Sequence, residues 1–171
     1  GYYYKPKIDK ELLEKYHENL ICSSACLGGE IPQKIKRGDI DGARESIMWY
    51  KNLFGEDYYL EVQLHKTEIP GYAEDVYEQQ VIVNKAIFEL SQECGVKVIA
   101  TNDVHFTRKE DGPAHDRLIC LTTNANYDDV KRLRYTQQEY LKTEEEMQAL
   151  FPGHPEVISN TLEIADKVEK Y

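Results

Sequence analysis

The sequence is short of several features that would assign it quickly. No apolar run in its 171 residues approaches the roughly 20 needed to cross a bilayer as a helix, so no membrane partner is expected. There is no dinucleotide-binding glycine fingerprint, and the single Gly28-Gly29 pair is too little for a phosphate loop. There is no Gly-x-Ser-x-Gly nucleophile elbow. The 4 cysteines, Cys22, Cys26, Cys94 and Cys120, fit neither a zinc-finger spacing nor a Cys-x-x-Cys motif. Without a disulfide framework, a reducing, cytoplasmic compartment is the expectation. Basic residues are in deficit, 21 Lys and Arg against 31 Asp and Glu, for a net charge of −10. Such a chain repels phosphates, so little direct DNA binding is expected except locally, through a metal or a partner. The start, Gly1-Tyr2-Tyr3-Tyr4-Lys5, has no signal-peptide pattern. Its lack of Met suggests a piece of a longer protein.

What is present alternates between two periods. Strands are expected at Leu20 to Ala25, Tyr58 to Leu64 and Val96 to Asn102. A helix from about Asp41 to Leu53 carries Ala43, Ile47, Tyr50 and Leu53 on one face, and Gly55 stops it. A longer helix, Ala73 to Cys94, has Val83, Ile87, Leu90 and Cys94 in one stripe, ended by Gly95. Pro113 opens a shorter one. This βαβαβα order predicts an α/β fold with parallel strands joined by right-handed crossovers. Thr122 to Tyr140 reads as a polar connection. Thr143 to Glu146 forms a capping box for a short helix, and Pro155 opens a last helix to Val168. Its expected packed face is Val157, Ile158, Thr161, Leu162, Ala165 and Val168.

Chemistry in parallel α/β sheets gathers at the C-terminal strand ends. Four potential ligands fall there: Cys26, His65, Asp103 and His105. The Asp103-Val-His105 spacing lets a carboxylate and an imidazole enter one cleft, and thiolate, imidazole and carboxylate all ligate zinc or manganese. The residues also admit plainer readings. Cys26 fits a tight turn, and His65 fits a solvated loop. Glu61 fits a pair with a lysine. His115 and Asp116 fit capping or pairing, and His17 and His154 fit the surface. Cys94 and Cys120 fit buried free thiols. Cys26 and His105 could instead form a nucleophile–base pair, although a metal suits the set better. Tyr2-Tyr3-Tyr4 could be an aromatic patch.

Six motifs occur in order: Cys26-Leu-Gly-Gly-Glu-Ile-Pro32, Tyr59-Leu-Glu-Val-Gln63, Ala100-Thr-Asn-Asp-Val-His105, Arg132-Leu-Arg-Tyr135, Tyr140-Leu-Lys142 and Asn160-Thr-Leu-Glu-Ile-Ala165. Together they resemble the alpha-subunit family of bacterial DNA polymerase III, the C-family replicative polymerases. The match is to the later part of the N-terminal PHP (polymerase and histidinol phosphatase) domain.

The resemblance implies a distorted, TIM-like β/α barrel with a three-metal cluster at its strand ends. Metal-competent members act as phosphoesterases or 3′–5′ exonucleases, whereas in others the domain is a scaffold. Cys26 corresponds to the family's cysteine ligand, and Asp103 and His105 to its final Asp-x-His pair. The implied cofactor is a divalent metal (zinc, manganese or magnesium), held by an incomplete cluster. The family's remaining ligands and its polymerase carboxylates match nothing here, so no polymerase catalytic residue is assigned. Residues 1–122 would be the later part of the barrel, and 123–171 a helical segment leading toward the polymerase core. The parent would bind DNA, a proofreading exonuclease subunit and a sliding clamp. This stretch alone would be inactive and open to self-association through an exposed strand edge. The rival readings are a stand-alone phosphatase of the same superfamily and a metal-free scaffold for a replisome partner.

Overall fold

The computed structural model describes residues 7–169, so the Tyr2-Tyr3-Tyr4 motif lies outside the described residues. Three short parallel strands form one sheet in the order β1 (Cys22–Ser23), β2 (Tyr58–Val62), β3 (Val98–Ala100). Cys22 lies opposite Tyr58, and Leu60 opposite Val98. The expected strand centres are right, and the strands are shorter at their ends. In β1 the left-handed Ala25 (φ 60°) turns the chain away just after the Ser24 amide bonds the Tyr59 carbonyl.

Seven α-helices surround the sheet among the described residues: α1 (Lys10–Tyr16), α2 (Glu30–Lys36), α3 (Ile40–Phe54), α4 (Glu74–Cys94), α5 (Gly112–Thr123), α6 (Glu144–Leu150) and α7 (Glu156–Lys167). Pro113 marked the start of α5, the Thr143 capping box opens α6, and helical periodicity located α3 and α4. It missed α1 and α2. In α2, Pro32 hides the pattern, yet it sits in the first turn, where no intrahelical amide is needed.

Val83, Ile87, Leu90 and Cys94 of α4 are buried, as their stripe requires. They share one core with Leu60 and Val62 of β2, Val98 and Ala100 of β3, Ala43 and Ile47 of α3, and Val157 and Ile158 of α7. Helix α7 therefore packs on β3, and its Asn160 amide donates to the Val98 carbonyl at 2.8 Å. That bond covers part of the β3 edge, whereas β1 remains an edge strand. The packed face of α7 is narrower than expected: Leu162, Ala165 and Val168 are exposed. Val157 and Ile158 reach the core, and Thr161 is half-buried.

Helix α2 is pinned to α3 by one carboxylate. Glu30 accepts from the Ser46 hydroxyl (2.7 Å), Lys34 (3.1 Å) and the Tyr50 hydroxyl (3.1 Å). Burial alone would raise the Glu30 carboxyl. Ser46, Lys34, Lys10 and Tyr50 outweigh it and hold the carboxyl down at about 2. A depressed carboxyl stabilises the fold above its ordinary value of 4.5, and the contribution fades as pH falls toward about 2. The melting temperature of the native chain should therefore exceed that of Glu30→Gln most near neutral pH. Thermal melts across acid pH should show the gap closing. A gap constant down to about pH 2 would mean that the Glu30 charge is not engaged.

Candidate functional site at the strand ends

The first strand end is shaped by a tight turn. The Gly29 amide bonds the Cys26 carbonyl at 2.8 Å, closing Cys26 to Gly29. A Cβ at Gly29 would lie 2.2 Å from the Ser24 carbonyl oxygen, so only glycine fits. Of the glycine pair, Gly29 is thus a position of close backbone approach, whereas a Cβ at Gly28 would meet only Cys26 Sγ, at 3.9 Å. Cys26 stands exposed at this turn.

Along the sheet, a polar row crosses the strands. Glu61 accepts from the Ser23 hydroxyl (2.6 Å), the Thr101 hydroxyl (2.6 Å) and the Gln63 amide (3.0 Å). The partners of Glu61 are hydroxyls and an amide, in place of the expected lysine.

His65, expected on a solvated loop, is 3% exposed. Its Nε2 faces the Asn102 carbonyl at 3.2 Å, and its Nδ1 faces the Gln80 side-chain amide at 3.0 Å. The carbonyl requires a proton on Nε2, so Nδ1 accepts from the Gln80 amide. Burial keeps this imidazole below its ordinary pKa, against the opposing pull of Glu139. His65 is a buried neutral link between the ends of β2 and β3, not a metal donor.

The third strand end holds the Asp-x-His pair. Asp103 has a left-handed backbone (φ 44°), and its Oδ2 lies 3.4 Å from His105 Nε2. The His105 ring sits 4.6 Å from Tyr135 and 5.4 Å from His115, and Phe106 lies 5.2 Å from His115. Burial and then the neighbouring His105 push the His115 imidazole down. Burial raises the Tyr135 hydroxyl, and Asp103, Glu139 and Cys26 push it the same way. Of the candidate ligands, Asp103 and Cys26 thus both lie in electrostatic reach of Tyr135.

Asp103 and His105 are brought together, and Cys26 lies toward the same side without joining them. Among the described residues, no three His, Cys, Asp or Glu side chains converge closely enough to hold a metal ion. The donor types fit a divalent cation, but the geometry of these residues alone does not. Nor does Cys26 hydrogen-bond to His105, as a nucleophile–base pair would require.

The polar connection also carries buried groups that composition did not reveal. Arg132 makes a bidentate pair with Asp116 of α5, both bonds 2.6 Å. Pairing was the expected role of Asp116, and its partner is now identified. Thr136 and Glu139 are also buried, the Glu139 Oε1 accepting from the Thr136 amide and hydroxyl (3.1 and 2.6 Å). Glu139 Oε2 is buried with no protein hydrogen-bond partner. The only sequence signal for this cluster was Thr136-x-x-Glu139, the pattern of a capping box without a helix behind it.

A PHP-domain family model matches residues 1–65, through the Cys26 turn and β2. The chain is 42% identical to the DNA polymerase III subunit alpha of Borreliella burgdorferi over 100% of its length and 14% of that protein. It is 39% identical to the subunit of Campylobacter jejuni, over 98% of this chain and 14% of that protein. It is 39% identical to that of Deinococcus radiodurans, over 97% and 12%. Across its whole length the chain is homologous to one stretch of the DNA polymerase III alpha subunits. It spans about 14% of the length of the Borreliella and Campylobacter relatives. The PHP match ends at β2, and the likeness to the polymerase subunits continues through the Asp103–His105 strand end, the polar connection and α7. That continuity separates it from the stand-alone phosphatase reading. PHP domains in general bind metals, and no metal is identified for this chain. No helix among the described residues is long and apolar enough to cross a membrane.

Proposed function

We propose that this stretch serves as part of a bacterial replicative DNA polymerase, within the cytoplasm. The observation that carries the reading is the 42% identity to a polymerase subunit across the full chain. The whole protein copies DNA by nucleotidyl transfer with carboxylates outside this chain. Its partners are DNA, a proofreading exonuclease subunit and a sliding clamp. Residues 1–122 supply the PHP portion, and 123–171 lead toward the polymerase core while packing back on β3. Cys26, Asp103 and His105 are contributed donors of a divalent-metal site (zinc, manganese or magnesium) that other parts of the whole protein complete. With such a site complete, 3′–5′ exonuclease or phosphoesterase chemistry becomes available. Alone, the stretch is inactive, and its β1 edge is open to a second copy.

A second reading, a scaffold, is favoured by one observation. The Asp103–His105 loop is already engaged by the aromatic rings of Tyr135 and His115 and by residues 136–142.

The test places this chain in the matching stretch of the Borreliella burgdorferi subunit. Primer extension should persist, and elemental analysis should find metal that His105→Ala lowers. Extension lost in a folded chimera would sink the polymerase reading. Equal metal content in both proteins would sink the donor assignment and leave the scaffold.

A further inference from the structure

We propose that Asn102 is the positioning residue of the Asp103–His105 pair, and that residues 136–142 are the clamp through which it acts. The inference rests on the reading that this pair is functional. Asn102 is 6% exposed and directly precedes the left-handed Asp103. Every polar group of its side chain is engaged. Its Nδ2 donates to the Gln138 carbonyl (2.8 Å) and the Tyr140 carbonyl (2.7 Å). Its Oδ1 accepts from Lys142 Nζ at 3.3 Å, and its backbone carbonyl faces His65 Nε2.

Two residues beyond Asp103, the same segment grips again. The His105 amide donates to the Glu139 carbonyl at 2.8 Å, and the Leu141 amide to the Phe106 carbonyl at 3.1 Å. Asp103, in a conformation that non-glycine residues rarely hold, is therefore fixed by an anchor on each side. The clamp is itself braced: Thr136 holds the Glu139 carboxylate, the Thr136 hydroxyl accepts the Gln138 amide, and the Lys142 amine also contacts the Gln138 carbonyl.

An asparagine is suited to this task. One planar amide reaches two carbonyls and still offers an acceptor, which neither Asp nor Ser can do. An ordinary strand-end asparagine would satisfy neighbours within its own turn, whereas this one binds a segment 36 and 38 residues away. The position of the catalytically suggestive pair is thereby set by the connection that follows the sheet.

The test is amide hydrogen exchange and histidine-ring NMR on the 171-residue chain and its Asn102→Ala variant. The His105 and Leu141 amides should exchange about tenfold faster or more in the variant. The Leu60 and Ser24 amides, bonded within the sheet, should not change. The His105 ring signals, shifted by Tyr135 and His115, should move, while those of His154, stacked on Phe88, stay. Uniform acceleration of all these amides, or an unchanged His105, overturns the proposal. Should Asn102→Ala fail to fold, Thr136→Val loosens the clamp from its far side and must give the same pattern. Metal analysis of the unmodified chimera keeps the two readings apart. If no metal binds there and Asn102→Ala still releases His105, positioning stands and the donor assignment fails.

Discussion

Replacing Arg132 with Met should lower the unfolding free energy by about 3–5 kcal/mol, because it strands a buried carboxylate. The Arg132 and Asp116 side chains are 0% and 3% exposed, so water cannot take over the lost partner. The expected fall in melting temperature is roughly 6 to 20 °C for a chain of this size. Asp116 keeps only the Tyr72 hydroxyl, at 3.2 Å, once the guanidinium is gone. The hydrogen bonds from Arg132 come first in holding the Asp116 carboxyl below its ordinary value of 3.8. A depressed carboxyl stabilises above that value and loses its contribution as pH falls below it, so the full loss appears at neutral pH. Adding Asp116→Leu should recover more than half the loss, since the cost lies in the unpaired charge rather than in a missing contact. Thermal melts of the single and double variants decide it. A single-variant cost under about 1 kcal/mol would mean the pair is wet.

The second large effect lies in the sheet. Leu60 is fully buried in the central strand, with β1 on one side and β3 on the other. Leu60→Ala should cost about 2–5 kcal/mol, toward the upper end because a strand held on both edges cannot collapse into the void. Leu162→Ala is the matched control, being 63% exposed on α7, and should stay within about 0.5 kcal/mol. Chemical denaturation of both variants, with equal slopes, measures the difference. Equal costs would place Leu162 in the core and displace the α7 packing described above.

The contrast between these two leucines bears on what a sequence makes legible. Val83, Ile87, Leu90 and Cys94 announce the buried side of α4, because a long amphipathic helix repeats its signal over 21 residues. Helix α7 has 12 residues and fully buries only Val157 and Ile158, so the periodic pattern extended the face too far. The parallel order of the strands followed from their alternation with helices. The Asp103–His105 pair was visible from its spacing at a strand end.

The other half of the site was not visible. Arg132, Thr136 and Glu139 are polar residues in a polar segment, which patterning assigns to solvent. Arg132 and the Glu139 carbonyl find their partners, Asp116 and the 102–106 loop, elsewhere in the chain, where no local period records them, and only the Thr136–Glu139 contact is local. His65 was misplaced for the same reason, since Gln80 and Asn102 make its burial tolerable from 15 and 37 residues away.

The attachment of α7 also sets an order in time. Tyr59 donates to Glu163 across 104 residues of sequence, and Lys167 reaches the Glu56 carbonyl across 111. A ribosome adding about 5–20 residues per second makes β3 roughly 3 to 13 seconds before α7 is complete. During that interval the nascent sheet shows its bare β3 flank to the cell. Chaperone capture during synthesis, and sensitivity to stalling between Ala100 and Val157, should therefore concentrate in this window.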